Sequence, residues 1–473
     1  MFRTPSLLVI LLCSTVLGGQ PKWITMQNEN FHVYSSASER DTRTALNQLE
    51  RVRGFFTQLT GSLSGKSAPV SVVIFGSEKE YQPYRLNNFA TAYYSSQSDR
   101  DLIVVGKLDE QSSQIMSHEY THLAFQHDGY ELPPWLNEGL AELFSTLRPL
   151  GSDTSFGDIL PGRLQDLNRD PWVPLATILA VDQKSPYYNE KNQAGAFYDE
   201  SWAFVHMLAT TDRFRAKFWD VVQAVNGGTP SVQALEAAYG VPLGALETEL
   251  RSYVQGRSFR MLKIKLSLGA TESIASQPAD VFDVRELQAE MVMGLAGRQD
   301  EARALFEGLV REDAKRPEPW ANLGYLDWRQ DKSEAVELEF GKAFELGSQS
   351  PRLLMKFAQV ARGDRPDDAV AALSRLLDLE PNNLDAILNL ASLQVSRDQF
   401  AEALATSRRI KSVRTDEERD QLLYLRAYAS MRLGDVAAAR KLADKLKQVS
   451  ADPDMQARAA DILRVSGEHP IPH

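Results

Sequence analysis

The chain has 473 residues, with 52 Lys and Arg against 63 Asp and Glu, 43% hydrophobic and 9% aromatic residues. At roughly 100–200 residues per domain, that length predicts two to four domains, and the balance excludes collagen-like, low-complexity and largely disordered chains. A net charge of −11, with no long run of Lys or Arg to override it, argues against phosphate backbones, so no nucleic acid is expected among the partners.

Residues 1–19 read as a signal peptide: Arg3 precedes the apolar residues 7–12, and the small stretch Val16-Leu17-Gly18-Gly19 offers a cleavage site near Gly18 or Gly19. The apolar run is shorter than the ~20 residues a bilayer span needs. No later stretch is apolar enough either, so the mature chain is expected to be exported, periplasmic or secreted, with no membrane span. The only cysteine, Cys13, lies inside this segment, which removes disulfides and cysteine ligands from the mature chain.

Residues 20–260 make the first folded part. In its α/β subdomain, 20–110, the β-rich runs 31–35 and 70–75 flank a stretch from Ser38 to Leu59 with Leu46, Leu49, Val52, Phe55 and Phe56 at helical spacing. Strand, helix, strand follows. Residues 91–94 and 101–105, separated by a Ser/Gln/Asp turn, predict a hairpin. From 111 to 260 the pattern is helical, broken by Pro-rich or Gly-rich loops at 132–134, 149–163 and 226–230. Residues 261–280 read as a linker, with one β-like run at 259–268 that finds no evident place.

The last third, 281–466, is helical and repeats itself before a short tail, 467–473. Ala302, Ala335, Ala369, Ala403 and Ala439 recur at spacings of 33, 34, 34 and 36, close to the period of helix-turn-helix repeats. The segment Trp320, Leu323, Gly324, Phe340, Ala343 resembles the tetratricopeptide repeat pattern, as do Ala369, Leu373 and Pro381. About five repeats are expected, each burying its apolar face on its neighbours.

Residues 118–122 read His118-Glu119-Tyr120-Thr121-His122, an H-E-x-x-H arrangement. On a helix, two imidazoles four residues apart project from one face, which suits two ligands of one metal. Glu119 is offset by about 100° around the helix, able to reach a water beside that metal rather than to coordinate it. The alternative is a pair of core histidines on the stripe shared with Ile115 and Phe125. A catalytic zinc needs a third protein ligand and an open position. The third candidate comes from Trp135-Leu136-Asn137-Glu138-Gly139-Leu140-Ala141-Glu142, where Pro133-Pro134 pre-set a helix start and Leu136, Leu140, Leu143 and Leu147 give a core face. By spacing alone, Glu138 and Glu142 would be solvated surface.

HEYTH together with NEGLAE resembles the gluzincin metallopeptidases of the peptidase MA clan, and with the repeats the chain most resembles exported bacterial peptidase MA-like domains joined to tetratricopeptide repeats. The resemblance implies an α+β zincin-like catalytic domain followed by an all-α tetratricopeptide-repeat solenoid. It implies one Zn²⁺ held by His118, His122 and Glu138, Glu142 supporting His118 from behind, Glu119 as general base, and Tyr198, at the head of Tyr198-Asp199-Glu200-Ser201-Trp202, facing the oxyanion. Tyr187 and Tyr188 are rivals for that last role. The Gly-Ala-Met-Glu-Asn element that anchors a free amine in alanyl aminopeptidases is absent upstream of His118, so endo- and exopeptidase action both remain open. The strand around residues 102–105 is a candidate to pair with an extended peptide. His206, His127, His32, His469 and His473 receive no role. The expected partners are a peptide or protein substrate and a protein recruited by the repeats. The alternative is a repeat-based interaction scaffold carrying an inactive or structural metal domain.

Overall fold

The computed structural model describes residues 22–60, 69–87, 90–96, 100–151, 153–189, 191–257, 259–266 and 274–468. The signal-peptide reading of residues 1–19 and the last five residues fall outside that set.

Among the described residues, nine strands form two sheets. In chain order they are β1 (Ile24–Gln27), β2 (Phe31–Ser35), β3 (Val70–Phe75), β4 (Ala92–Ser95), β5 (Leu102–Lys107), β6 (Arg148–Leu150), β7 (Asp153–Phe156), β8 (Leu262–Ile264) and β9 (Gln277–Pro278). The larger sheet runs β4-β5-β3-β2-β1-β9, the smaller β6-β7-β8. The amphipathic helix Glu39–Thr60 crosses from β2 to β3, which pair in parallel with Val33 opposite Val72. β5 adds in parallel to β3, and β4 returns antiparallel onto β5 with Tyr93 opposite Val104, as the hairpin pattern predicts.

Alternation sends successive side chains to opposite faces of this sheet. Val33, Val72, Ile74 and Ile103 pack towards Leu46, Leu49 and Phe55 of the crossing helix and towards the helices that carry the two motifs. Tyr34, Val73, Phe75 and Val104 point the other way and meet Val284, Leu287 and Met291. Those three residues belong to Val281–Met293, the first helix of the repeats.

Two sequence expectations change. The strand at residues 102–105 is interior, flanked by β4 and β3, so the sheet edge facing the motif helices is β4. Residues 261–280 are less a linker than a pair of ties: β8 pairs with β7, and β9 pairs with β1.

Beyond them, five antiparallel helix pairs run from Val281–Met293 with Gln299–Glu312 to Asp416–Arg432 with Val436–Val449, followed by Pro453–Glu468. Ala302, Ala369, Ala403 and Ala439 are fully buried where paired helices meet, but in the second pair that position is Val336, with Ala335 half-buried beside it. Counted through Val336, the spacings become 34, 33, 34 and 36. Gly324 is forced by the same closeness: a Cβ there would stand 2.4 Å from the Phe340 ring. Among the described residues no helix is long and apolar enough to cross a membrane.

Candidate metal centre

The H-E-x-x-H motif lies on the helix Ser112–His127, packed on Glu39–Thr60. Its inward face is apolar, with Tyr120 buried between Phe31 and Phe56 at ring separations of 5.8 and 6.2 Å. Thr121 turns its hydroxyl back to the Ser117 carbonyl at 2.7 Å. With Tyr120 and Thr121 committed to the core, His118 and His122 face the other way, into a cleft.

The second motif begins where the prolines predict, at Pro134, and its helix ends at Ser145. Leu136, Leu140 and Leu143 are buried, and so is Leu147 just past the helix end. Glu138 and Glu142, which spacing alone would leave on the surface, are buried too, at 4% and 7% exposure. Gly139 explains the close approach: a Cβ there would stand 2.3 Å from Val205 and 2.7 Å from the Ser201 carbonyl on the helix Lys191–Thr210. That contact sets Glu138 and Glu142 between the motif helix and the helix bearing Tyr198.

The three proposed ligands converge. His118 Nε2 and His122 Nε2 are 3.1 Å apart, and Glu138 Oε2 is 3.4 Å from the first and 3.6 Å from the second. Zinc bonds of about 2.0–2.1 Å at tetrahedral angles put ligand atoms about 3.3 Å from one another, so the triangle has the size of one zinc face. Glu138 Oε2 is buried without a hydrogen bond among the described residues, an orphaned acceptor at the point where an ion would sit. The other carboxylate oxygen is held, since the Tyr188 hydroxyl donates to Oε1 at 2.9 Å.

Charge favours a cation here. Burial works against a charged imidazole at His118, yet the carboxylates of Glu138, Glu142 and Glu119 outweigh it and push its pKa up to about 9. His122 is raised by the same contest between burial and Glu138. Burial likewise opposes ionisation of Glu138, and the two imidazoles overcome it, holding the carboxyl well below the usual range. The residues therefore fit a divalent ion in donor type, spacing and charge.

Behind the ligands, Glu142 Oε1 faces His118 Nδ1 at 3.5 Å, on the ring nitrogen away from the convergence point. Arg163, in the first turn of the short helix Pro161–Arg169, pairs with Glu142 and, at 2.8 Å, with Asp199. Arg163 carried no signal in the sequence, because nothing local ties an arginine of one short helix to a glutamate on another. The partner that would fix His122 is missing: Nδ1 is buried without a hydrogen bond among the described residues.

Glu119 lines the cleft, and its Oε2 accepts the backbone N–H of Tyr94 on β4 at 2.9 Å. Tyr198 lines the same cleft, its ring stacked on Tyr188 at 6.3 Å and lying 5.6 Å from the Arg163 guanidinium. Burial and the surrounding carboxylates raise its pKa, so the hydroxyl stays protonated and able to donate. Tyr188 is engaged with Glu138, and Tyr187 does not line the cleft. His206 is a core residue between the Tyr253 hydroxyl and the Gly157 carbonyl. The cleft has a volume of about 1840 Å³, beyond the roughly 300–1,000 Å³ of small-molecule pockets.

Residues 361–419 match the family model of the tetratricopeptide repeat. Among solved structures, the chain is similar to YrrB, a TPR protein with an unusual peptide-binding site, over 38% of this chain and 98% of that one, at 14% identity and a TM-score of 0.33. It is similar to PilW, a widely conserved type IV pilus biogenesis factor, over 40% and 90%, at 17% identity and 0.28. It is also similar to a TPR protein of Thermus thermophilus over 39% and 100%, at 15% identity and 0.25. No curated protein matches the chain. What the sequence comparison identifies within this chain is tetratricopeptide repeats.

Proposed function

We propose that the chain is a zinc-dependent peptidase of gluzincin type whose tetratricopeptide repeats recruit a protein, as partner or as substrate. The observation that carries the metal half is the triangle of 3.1, 3.4 and 3.6 Å among His118 Nε2, His122 Nε2 and Glu138 Oε2, with its orphaned oxygen. The repeat match at 361–419 supports the other half.

His118, His122 and Glu138 would hold the ion, which when bound supplies a Lewis acid and brings the pKa of water towards ~7. Glu119, oriented by the Tyr94 amide, takes the proton of the attacking water as its oxygen bonds to the scissile carbonyl carbon. The same carboxyl returns that proton to the nitrogen as the C–N bond breaks. The Tyr198 hydroxyl donates to the oxygen on which negative charge develops. The cleft volume suits an extended peptide, and β4, the outermost strand and part of the cleft lining, is the place for one to pair.

The test is hydrolysis of a mixed peptide pool by the purified mature chain. Cleavage should stop with a chelator and return with zinc, and Glu119→Gln should keep zinc while losing turnover. Undiminished cleavage by that variant refutes the assignment.

A second reading has its own support, because the family match concerns the repeats alone: the chain is then an interaction scaffold with an inactive metal domain. YrrB is described as having a peptide-binding site, and concave repeat surfaces suit such partners. Partner capture that is indifferent to zinc, with no cleavage of any peptide, selects this reading.

A further inference from the structure

Asp101, the residue before β5, joins three parts of the molecule with one carboxylate. Its Oδ1 accepts the Tyr94 hydroxyl and the Arg352 guanidinium, each at 2.6 Å. Its Oδ2 meets His127 Nε2, also at 2.6 Å. Tyr94 lies on the edge strand β4, His127 ends the helix that carries His118, Glu119 and His122, and Arg352 opens the helix Pro351–Ala361 of the third repeat. Tyr94 is held at both ends: its hydroxyl by Asp101, its amide by Glu119.

The contact is not what docks the repeats. Val284, Leu287 and Met291 already cover the back of the sheet, and Arg100 pairs with Glu286 at 2.6 Å and Glu290 at 3.1 Å. Buried ion pairs add little net stability because desolvation offsets attraction. What a second one can supply is orientation. Asp101 is 9% exposed, and without Arg352 its charge would keep two donors in place of three.

We propose that Arg352 is a positioning residue of the metal site, acting through Asp101 and Tyr94 on Glu119, so that the third repeat sets the geometry of the cleft edge. This rests on the peptidase reading for the role of Glu119, and on the side-chain network alone for the coupling. A protein that engages the start of the Pro351–Ala361 helix would thereby act on β4.

The test is amide hydrogen exchange on the full-length mature chain, comparing wild type, Arg352→Ala and Arg352→Lys. Peptides covering residues 91–96 should exchange about tenfold faster in the alanine variant, the size expected for losing one charge-assisted hydrogen bond. Lysine should restore most of the protection, and peptides from Pro351–Ala361 should not change. Unaltered exchange at 91–96 overturns the proposal. So does faster exchange of the repeat helix itself, which would make Arg352 a structural residue of the repeats. If cleavage is established, kcat should also fall about tenfold in the alanine variant with zinc content unchanged, as one lost charge-assisted bond predicts. Failure of the Glu119→Gln control would sink the peptidase reading while leaving the exchange result standing.

Discussion

Replacing Glu142 by alanine removes the acceptor that faces His118 Nδ1 and leaves the half-buried Arg163 paired with Asp199 alone. A carboxylate on that side favours a proton on Nδ1, which leaves Nε2 as the nitrogen a metal would take. Without it, both tautomers become accessible and the ring loses its orientation. Loss of such an outer partner costs about 10–100-fold in metal affinity, or about 1.4–2.8 kcal/mol. The 3.5 Å separation is long for a hydrogen bond, which points to the lower end, about tenfold. Competition with a chromogenic chelator near neutral pH measures this directly in the full chain. Glu142→Gln separates geometry from charge: it keeps an acceptor and should retain most of the affinity. Glu138→Ala, which removes a proposed ligand outright, should lose far more than either. Zinc held as tightly by a folded Glu142→Ala chain as by wild type would refute the outer-partner role and weaken the whole arrangement.

Other outcomes follow from the same geometry. Tyr198→Phe should lower kcat by about 10²–10³, as loss of one oxyanion donor does, with zinc affinity unchanged; equal turnover would return the role to another group. His206 is held neutral by burial, its pKa lowered from 6.5 to about 4 despite the Gly157 carbonyl. A lowered folded pKa means stability that is fully present above pH 6.5 and lost as pH falls towards 4, up to about 3 kcal/mol. Urea melts across that range should show it, and His206→Gln should flatten the profile. Gly139→Ala should destabilise by about 1–3 kcal/mol through the clash with Val205 and the Ser201 carbonyl, and weaken zinc binding by pushing Glu138 outward; thermal denaturation and the chelator competition check the two halves.

Helical spacing was enough to aim His118 and His122 at one point, because four residues make slightly more than a turn and a helix carries its own geometry. The paired prolines likewise announced the start at Pro134, since local backbone chemistry fixes it. Glu138 needed the resemblance: by periodicity it belongs to a surface stripe, and the close packing of Gly139 on Val205 brings it into the interior. Partners that come from afar left no local trace. Arg163 reaches Glu142 from another helix, Tyr188 reaches Glu138 across fifty residues, and Arg352 reaches Asp101 across 251. Edge position is equally non-local: β4 lies outermost because β5 pairs in parallel with β3, a choice no hydrophobic alternation encodes. His127 shows the cost of reading motifs alone, as a histidine without motif context turns out to bond the carboxylate that steadies Tyr94.

The helix Val281–Met293 is a party wall: one side roofs the β-sheet with Val284, Leu287 and Met291, and the other begins the repeat stack with Phe282, Ala289 and Met293. Gene fragments cut at residue 280 would strand an oily floor of Tyr34, Val73, Phe75 and Val104 in water and should clump on expression. Fragments that run through this helix inherit the opposite trouble, a raw end where the second helix pair belonged. The two halves of the chain are therefore expected to be shuffled between proteins only as a unit, with the dividing helix travelling intact.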